Sequence, residues 1–158
     1  MSFDRALAIE EIRHVVLAYP EASDTGDLPG VGNFMEGVRF GPLDVPESDL
    51  PVRTAEEAAA SYKRAVIYYD DGLSHAKHLI TNIDVVFAPD GNSAQATSAY
   101  VVLQARPEFP LQCICTGGYK DMLERTADGW TLRERREWMD LTGDMSFHVT
   151  HPENFHGH

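Results

Sequence analysis

The chain has 158 residues, 43% of them hydrophobic, which is enough for one compact domain with a core and a pocket but leaves no room for a second domain. Its 25 acidic residues against 13 Lys and Arg give a formal charge of −12, and the basic residues are scattered, so nucleic acid and anionic membrane surfaces are excluded as partners. No apolar run reaches the roughly 18 residues that a membrane span needs, and Met1 does not open a charged-then-apolar leader, so the cytoplasm is the expected location.

In chain order, Ile9, Ile12, Val16 and Tyr19 recur at steps of three and four and predict an amphipathic helix over residues 3–19 with that stripe inward. Pro20 lacks the N–H that would bond back to Val16 and is expected to kink or end it. Asp27 is placed to cap a short, glycine-interrupted second helix reaching Phe34. Residues 41–52 hold Pro42, Pro46 and Pro51 and read as a loop. Thr54-Ala55-Glu56-Glu57 matches a capping box, and the alanine-rich run to Tyr69 reads as a third helix ending at Asp70-Asp71-Gly72.

The pattern then changes to strands over residues 77–87, 94–106, 111–125 and 130–141. Pro89-Asp90-Gly91-Asn92, residues 107–110 and Ala127-Asp128-Gly129 supply the turns between them. Helices first and a meander of strands last is the α+β pattern, and a curved antiparallel sheet with three N-terminal helices across its concave face makes a cavity of the kind that small molecules occupy. The expected organisation is a single domain over residues 1–158, with its core at about 7–149 and a tail at 150–158.

Two distant segments carry the chemistry: Ser23-Asp24-Thr25-Gly26-Asp27 after the first helix and His78-Leu79-Ile80-Thr81-Asn82 opening the first long strand. If Asp24 meets His78, the carboxylate fixes the imidazole tautomer and stabilises the imidazolium formed when the other nitrogen takes a proton, which makes an oriented general base. Taken alone the pairing is weak, since seven histidines and 25 acidic residues offer many such pairs, and a strand histidine bonded to a backbone carbonyl is the plainer reading. Asp24 can equally cap the turn into Thr25-Gly26. Cys113 and Cys115 lie two apart on one strand, pointing the same way, poorly placed for a mutual disulfide and without a second Cys/His pair at zinc spacing, so they read as reduced core thiols and no metal site is expected. His151, His156 and His158 resemble a metal tail, but a frayed terminus is the simpler account; folding of the tail over the pocket mouth is left open.

The order of elements, with Ser23-Asp24-Thr25-Gly26-Asp27, Lys77-His78-Leu79-Ile80-Thr81-Asn82, Gly118-Tyr119-Lys120-Asp121, the run from Gly129 to Arg135 and Gly143-Asp144-Met145-Ser146, resembles the SnoaL-like branch of the nuclear transport factor 2-like superfamily over most of the chain. The resemblance implies a cystatin-like α+β cone, a homodimer or homotrimer, and a ligand inside the cone. Its motifs lie nearest scytalone dehydratase and hexachlorocyclohexane dehydrochlorinase. It implies a cofactor-independent lyase of dehydratase type, or an isomerase, acting on a small cyclic or aromatic substrate, with His78 as base, Asp24 as its orienter and Arg135 as a pocket cation for a developing anion.

Tyr19, Tyr69, Leu73, Val101, Cys115 and Tyr119 fall where relatives line the pocket, though core packing accounts for such residues equally well. Tyr19 stands about where the dehydrochlorinase has a lysine, and Ala99-Tyr100-Val101-Val102-Leu103 lacks the second pocket histidine of scytalone dehydratase. Period two puts Arg133, Arg135 and Glu137 on one strand face and Glu134, Arg136 and Trp138 on the other. The alternative is a non-catalytic ligand-binding module or a structural subunit akin to the small chains of ring-hydroxylating dioxygenases. No nucleotide, flavin or metal motif is present, and no cofactor is expected.

Overall fold

A computed structural model describes residues 2–155, with side chains from Arg5 onward. Helix α1 (Ser2–Asp24) buries Ile12, Val16 and Tyr19 as the periodicity requires, with Ile9 half-buried. It runs through Pro20 instead of stopping there. The missing proline N–H orphans the Val16 carbonyl, and Arg135 Nη2 donates to that carbonyl at 3.2 Å. The helix therefore gains a last turn that ends in Asp24. Gly26, at φ 73°, closes it, with the Asp27 N–H donating to the Ala22 carbonyl at 2.9 Å. A Cβ on Gly26 would also lie 2.4 Å from the Gly72 carbonyl oxygen, so the crossing of these two segments requires glycine twice over.

Asp27 caps α2 (Leu28–Met35), its carboxylate accepting from the Gly30 N–H at 2.9 Å. The stretch expected as a loop begins as a strand, β1 (Arg39–Pro42), and then holds a short 3-10 turn at Glu47–Asp49. The capping box forms in both directions on α3 (Ala55–Ala65): Thr54 Oγ1 accepts from the Glu57 N–H at 3.2 Å and Glu57 Oε2 from the Thr54 N–H at 3.0 Å. This helix ends four residues short of Tyr69. The β-branched pair Val66-Ile67 leaves it in extended form, Val66 bridging Val149 and the Ile67 N–H donating to the His148 carbonyl at 2.8 Å.

Strands β2 (Ala76–Phe87), β3 (Ser93–Arg106), β4 (Phe109–Thr126) and β5 (Gly129–Thr142) form the antiparallel meander, and β1 adds to it in parallel, giving the order β1-β5-β4-β3-β2. The fold is α+β, as expected, with one more strand than the pattern of turns indicated. Bulges interrupt every antiparallel pairing; each adds a residue to one strand and bends the sheet. The bulge at Ile114 separates Cys113 from Cys115: Cys115 pairs with Val102 and is buried, whereas Cys113 pairs with Leu103 and is exposed, so only one of the two is the expected core thiol. A second bulge, at Arg133, sends that residue to the surface, where it meets Glu124 at 2.8 Å, while Leu132 and Arg135 both turn inward. Arg133 therefore does not share a face with Arg135. No helix among the described residues is long and apolar enough to cross a membrane.

Candidate active site

Asp24 and His78 are brought together because α1 survives Pro20. Asp24 then lies in its last turn, beside the first residues of β2. Asp24 Oδ1 is 2.6 Å from His78 Nδ1, and the same carboxylate accepts from the His78 backbone N–H at 3.0 and 3.1 Å. Lys77 Nζ approaches its other oxygen at 3.1 Å. Both members of the pair are almost wholly buried, the Asp24 side chain 4% and the His78 side chain 7% exposed. Burial alone would push the Asp24 carboxyl up, but the hydrogen bonds from the His78 ring and backbone, with Lys77, outweigh it and hold Asp24 below the ordinary carboxylate range. An ionised Asp24 on Nδ1 selects the tautomer whose proton sits on Nδ1, leaving the Nε2 lone pair free.

His78 lines a cavity of about 540 Å³ between the helices and the concave face of the sheet. Its wall is mostly apolar and aromatic, with Tyr19, Phe40, Tyr62, Tyr100, Val102, Cys115, Tyr119, Met139 and Met145 contributing. Alternation along β3 decides one of the sequence-derived choices: Tyr100 and Val102 face the cavity, so Val101 faces away and does not line it. Leu73 is also outside it and part-exposed. Tyr69 lines a separate small surface pocket with Asp70, Asp71, His75 and Arg106, its ring under the Arg106 guanidinium at 3.3 Å. Tyr19, Cys115 and Tyr119 are in the wall. Burial pushes the Cys115 thiol up to about 12, so it is a packing group and not a nucleophile at neutral pH.

Arg135 is completely buried one layer behind this wall and does not line the cavity. Its guanidinium is held by both Asp121 oxygens, at 2.7 and 2.6 Å, and lies 4.3 Å from the centre of the Tyr119 ring. The expected pocket cation is thus a support beneath an aromatic wall, its charge directed to Asp121 and to the carbonyl that Pro20 leaves free.

Among the ionisable cavity residues that the sequence reading did not select, His148 and Glu137 stand out. His148, from the segment after β5, has its ring 6.4 Å from that of His78, and its Nδ1 is buried without a hydrogen-bond partner. Burial first, and then the neighbouring His78, lower its pKa to about 4, so it is neutral at physiological pH. No periodicity marks Ser146-Phe147-His148, so nothing in the sequence pointed to it. Glu137, on β5, also lines the cavity. Burial raises its carboxyl above the usual range although Arg135 pulls the other way. Its parity with Arg135 was available from the sequence.

The C-terminal segment crosses the cavity, placing Met145, His148, Val149, Asn154 and Phe155 in its wall. His151 is exposed and pairs with Glu153 at 3.1 Å; His156 and His158 lie outside the described residues. Among the described residues no cluster of three or more His, Cys, Asp or Glu side chains is arranged to hold a metal ion.

Comparison with solved structures returns the same architecture at low identity. A candidate scytalone dehydratase from Novosphingobium aromaticivorans superposes with a TM-score of 0.67 at 13% identity, covering 91% of each chain. The beta subunit of a candidate aromatic-ring-hydroxylating dioxygenase from the same organism gives 0.63 at 18%, covering 88% of this chain and 93% of the other. ActVI-ORFA from Streptomyces coelicolor gives 0.60 at 22%, covering 83% and 96%. At these identities the likeness is one of fold. No curated protein matches the sequence significantly. The SnoaL-like domain model matches residues 4–136, most of the length, and the chain belongs to the SnoaL-like family.

Proposed function

We propose that the protein is a cofactor-independent lyase of dehydratase type, or an isomerase, acting on a small cyclic or aromatic substrate held in the cavity. The observation that carries this reading is the 2.6 Å contact between Asp24 and His78 at the cavity wall. In this mechanism His78 Nε2 removes a proton from an activated carbon, and Asp24 holds the ring and stabilises the imidazolium. Neutral His148, whose ring lies beside that of His78, supports the anion that develops, while Arg135 acts only as a positioning residue behind Tyr119. The His78 imidazolium then gives its proton to the departing hydroxyl, which leaves as water, or returns it at another carbon. The apolar wall keeps bulk water from competing for the carbanion.

The test is deuterium uptake from D2O into a panel of cyclic β-hydroxyketones and hydroxylated aromatic ketones, followed by mass spectrometry. Wild type is expected to exchange or dehydrate at least one compound, and His78→Ala to lower that rate by about 10²- to 10⁴-fold. Exchange that survives in His78→Ala would remove His78 from the role.

A second reading, a non-catalytic binding module or structural subunit, draws on the likeness to a dioxygenase beta subunit. It predicts that His78→Ala alters binding or assembly modestly and that a larger subunit copurifies from the native host. Assembly as a homodimer or homotrimer is part of the proposal, and sedimentation equilibrium decides between them.

A further inference from the structure

Glu137 presents a carboxyl to the cavity that makes no side-chain hydrogen bond or ion pair with any described residue. The cation on the same strand face, Arg135, directs Nε and Nη2 to Asp121 and the Val16 carbonyl, and its buried Nη1 has no hydrogen-bond partner among the described residues. Directly across the strand pair stands Tyr119, also in the cavity wall, whose hydroxyl likewise has no partner among the described residues. The neighbouring phenols are engaged elsewhere: Tyr62 with Ser23 Oγ at 2.6 Å, and Tyr100 with the Trp138 carbonyl at 3.1 Å. Buried polar groups are nearly always satisfied. Tyr119 is buried and Glu137 half-buried, and both open onto the same cavity, so a ligand that fills it has to supply their partner.

We propose that Glu137 and Tyr119 form a polar subsite that binds an uncharged hydroxyl or carbonyl oxygen at the end of the ligand remote from His78. A protonated carboxyl offers one donor and one acceptor, which matches a hydroxyl on both counts, and Tyr119 adds a second donor for a carbonyl. Burial favours this protonated form. An anionic ligand group would be desolvated beside an acidic residue, and a cationic one would have to ionise Glu137 with the Arg135 guanidinium close by.

The placement also sets the ligand's shape. His78 is on edge strand β2 and Glu137 on β5, with β3 and β4 between them. His78 is level with Val102 and Cys115 while Glu137 is level with Tyr119, four residues along β4, so the two are separated by three inter-strand steps, about 14 Å across the strands, and by a further offset along them. Val102, Cys115 and Met139 supply an apolar wall between the two polar ends. The ligand class is therefore an elongated, mostly apolar ring compound with a neutral oxygen at the Glu137 end.

This inference rests on the cavity being the ligand site, and not on His78 acting as a base. Calorimetric titration at pH 7 with 1-naphthylmethanol, 1-naphthoate and 1-naphthylmethylammonium tests it, using wild type, Glu137→Gln and Glu137→Leu, each repeated in the His78→Ala background. The alcohol is expected to bind about tenfold more tightly than either ion. Glu137→Gln should keep the alcohol within about threefold, and Glu137→Leu should lose about tenfold, with thermal melts showing that both variants fold. The same pattern should persist without the His78 imidazole, so failure of the base and failure of the subsite are separate results. Tighter binding of the ammonium would overturn the proposal in favour of an ionised cation receptor. Equal binding of all three probes, no binding of any, or no effect of Glu137→Leu would overturn it outright.

Discussion

Asp24 occupies the last turn of α1, where the helix dipole disfavours a carboxylate, and it is desolvated as well. Three donors, the His78 ring, the His78 N–H and Lys77, reverse both penalties. Asp24→Asn keeps the shape but can present its amide N–H₂ to Nδ1 and so favour the wrong tautomer; a fall in turnover of about 10²- to 10⁴-fold is expected, with little change in ligand affinity measured by calorimetry. Acid stability separates two of the site's perturbed groups, His148 and Asp24. His148 has a folded pKa of about 4 against an ordinary value of 6.5. The unfolded chain therefore binds a proton that the native state refuses, and stability falls as pH drops through that window, by on the order of 3 kcal/mol when complete. Asp24 has a depressed folded pKa, so its contribution is present above 3.8 and is lost only below it, as pH falls through the folded value. Urea denaturation of His148→Leu between pH 7 and 4 should show a flatter acid limb than wild type; an unchanged limb would mean that His148 is not the group refusing the proton.

At the scale of elements, the sequence carried the helix stripe, both caps and the four long strands, whereas Asp24 and His78 were one of many possible His/Asp pairs, singled out by the resemblance. What it missed follows from single residues acting through tertiary contacts. Pro20 stops a helix only when the carbonyl it orphans finds no other donor, and that donor, Arg135, comes from a strand 115 residues further along, which no local pattern reports. The bulges at Ile114 and Arg133 break period two without a glycine or proline to announce them, which is why Cys113 and Arg133 fall on unexpected faces. Val101 follows from the resemblance alone, and the alternation of β3 turns it away from the cavity that Tyr100 and Val102 line. The helix-to-strand link is measurable. Arg135→Met should destabilise the fold by about 3–5 kcal/mol, because it leaves Asp121 buried and unpaired and the Val16 carbonyl open. In a Pro20→Ala background the restored N–H satisfies that carbonyl, so the same substitution should cost about 1 kcal/mol less. A double-mutant cycle by chemical denaturation that gives strict additivity would show that the Arg135 bond does not hold the final turn.

Across the whole molecule, the cavity is closed by parts that the sheet and helices do not provide. The concave face supplies Tyr100, Val102, Cys115, Tyr119 and Glu137, the helices supply Tyr19, Met35 and Tyr62, and the segment beyond β5 supplies Met145, His148, Val149, Asn154 and Phe155. That segment is fastened in two ways. Its first half is clamped by the Val66–Val149 bridge and by the Thr150 N–H donating to the Ala65 carbonyl at 3.0 Å, and His148 and Val149 are themselves buried. Its second half, from His151, contributes only partly exposed or exposed residues, of which Phe155 is 36% exposed and Asn154 and Phe155 touch the cavity. The two halves therefore divide stability from access. Truncation after Thr150 removes little buried apolar area and should shift the melting temperature by no more than about 2 °C, yet it opens one side of the cavity and should weaken binding of a naphthalene probe about three- to tenfold. Truncation after Gly143 removes the clamped half as well, exposing Ile67 and Val66 along with the cavity, and should destabilise the fold by several kcal/mol on the scale of about 25 cal/mol per Å² newly exposed. Melting and calorimetry on the two truncations check the division. Equal loss of stability in both would mean that the segment folds as one unit and that the terminal turn is part of the core, not a cover over the ligand.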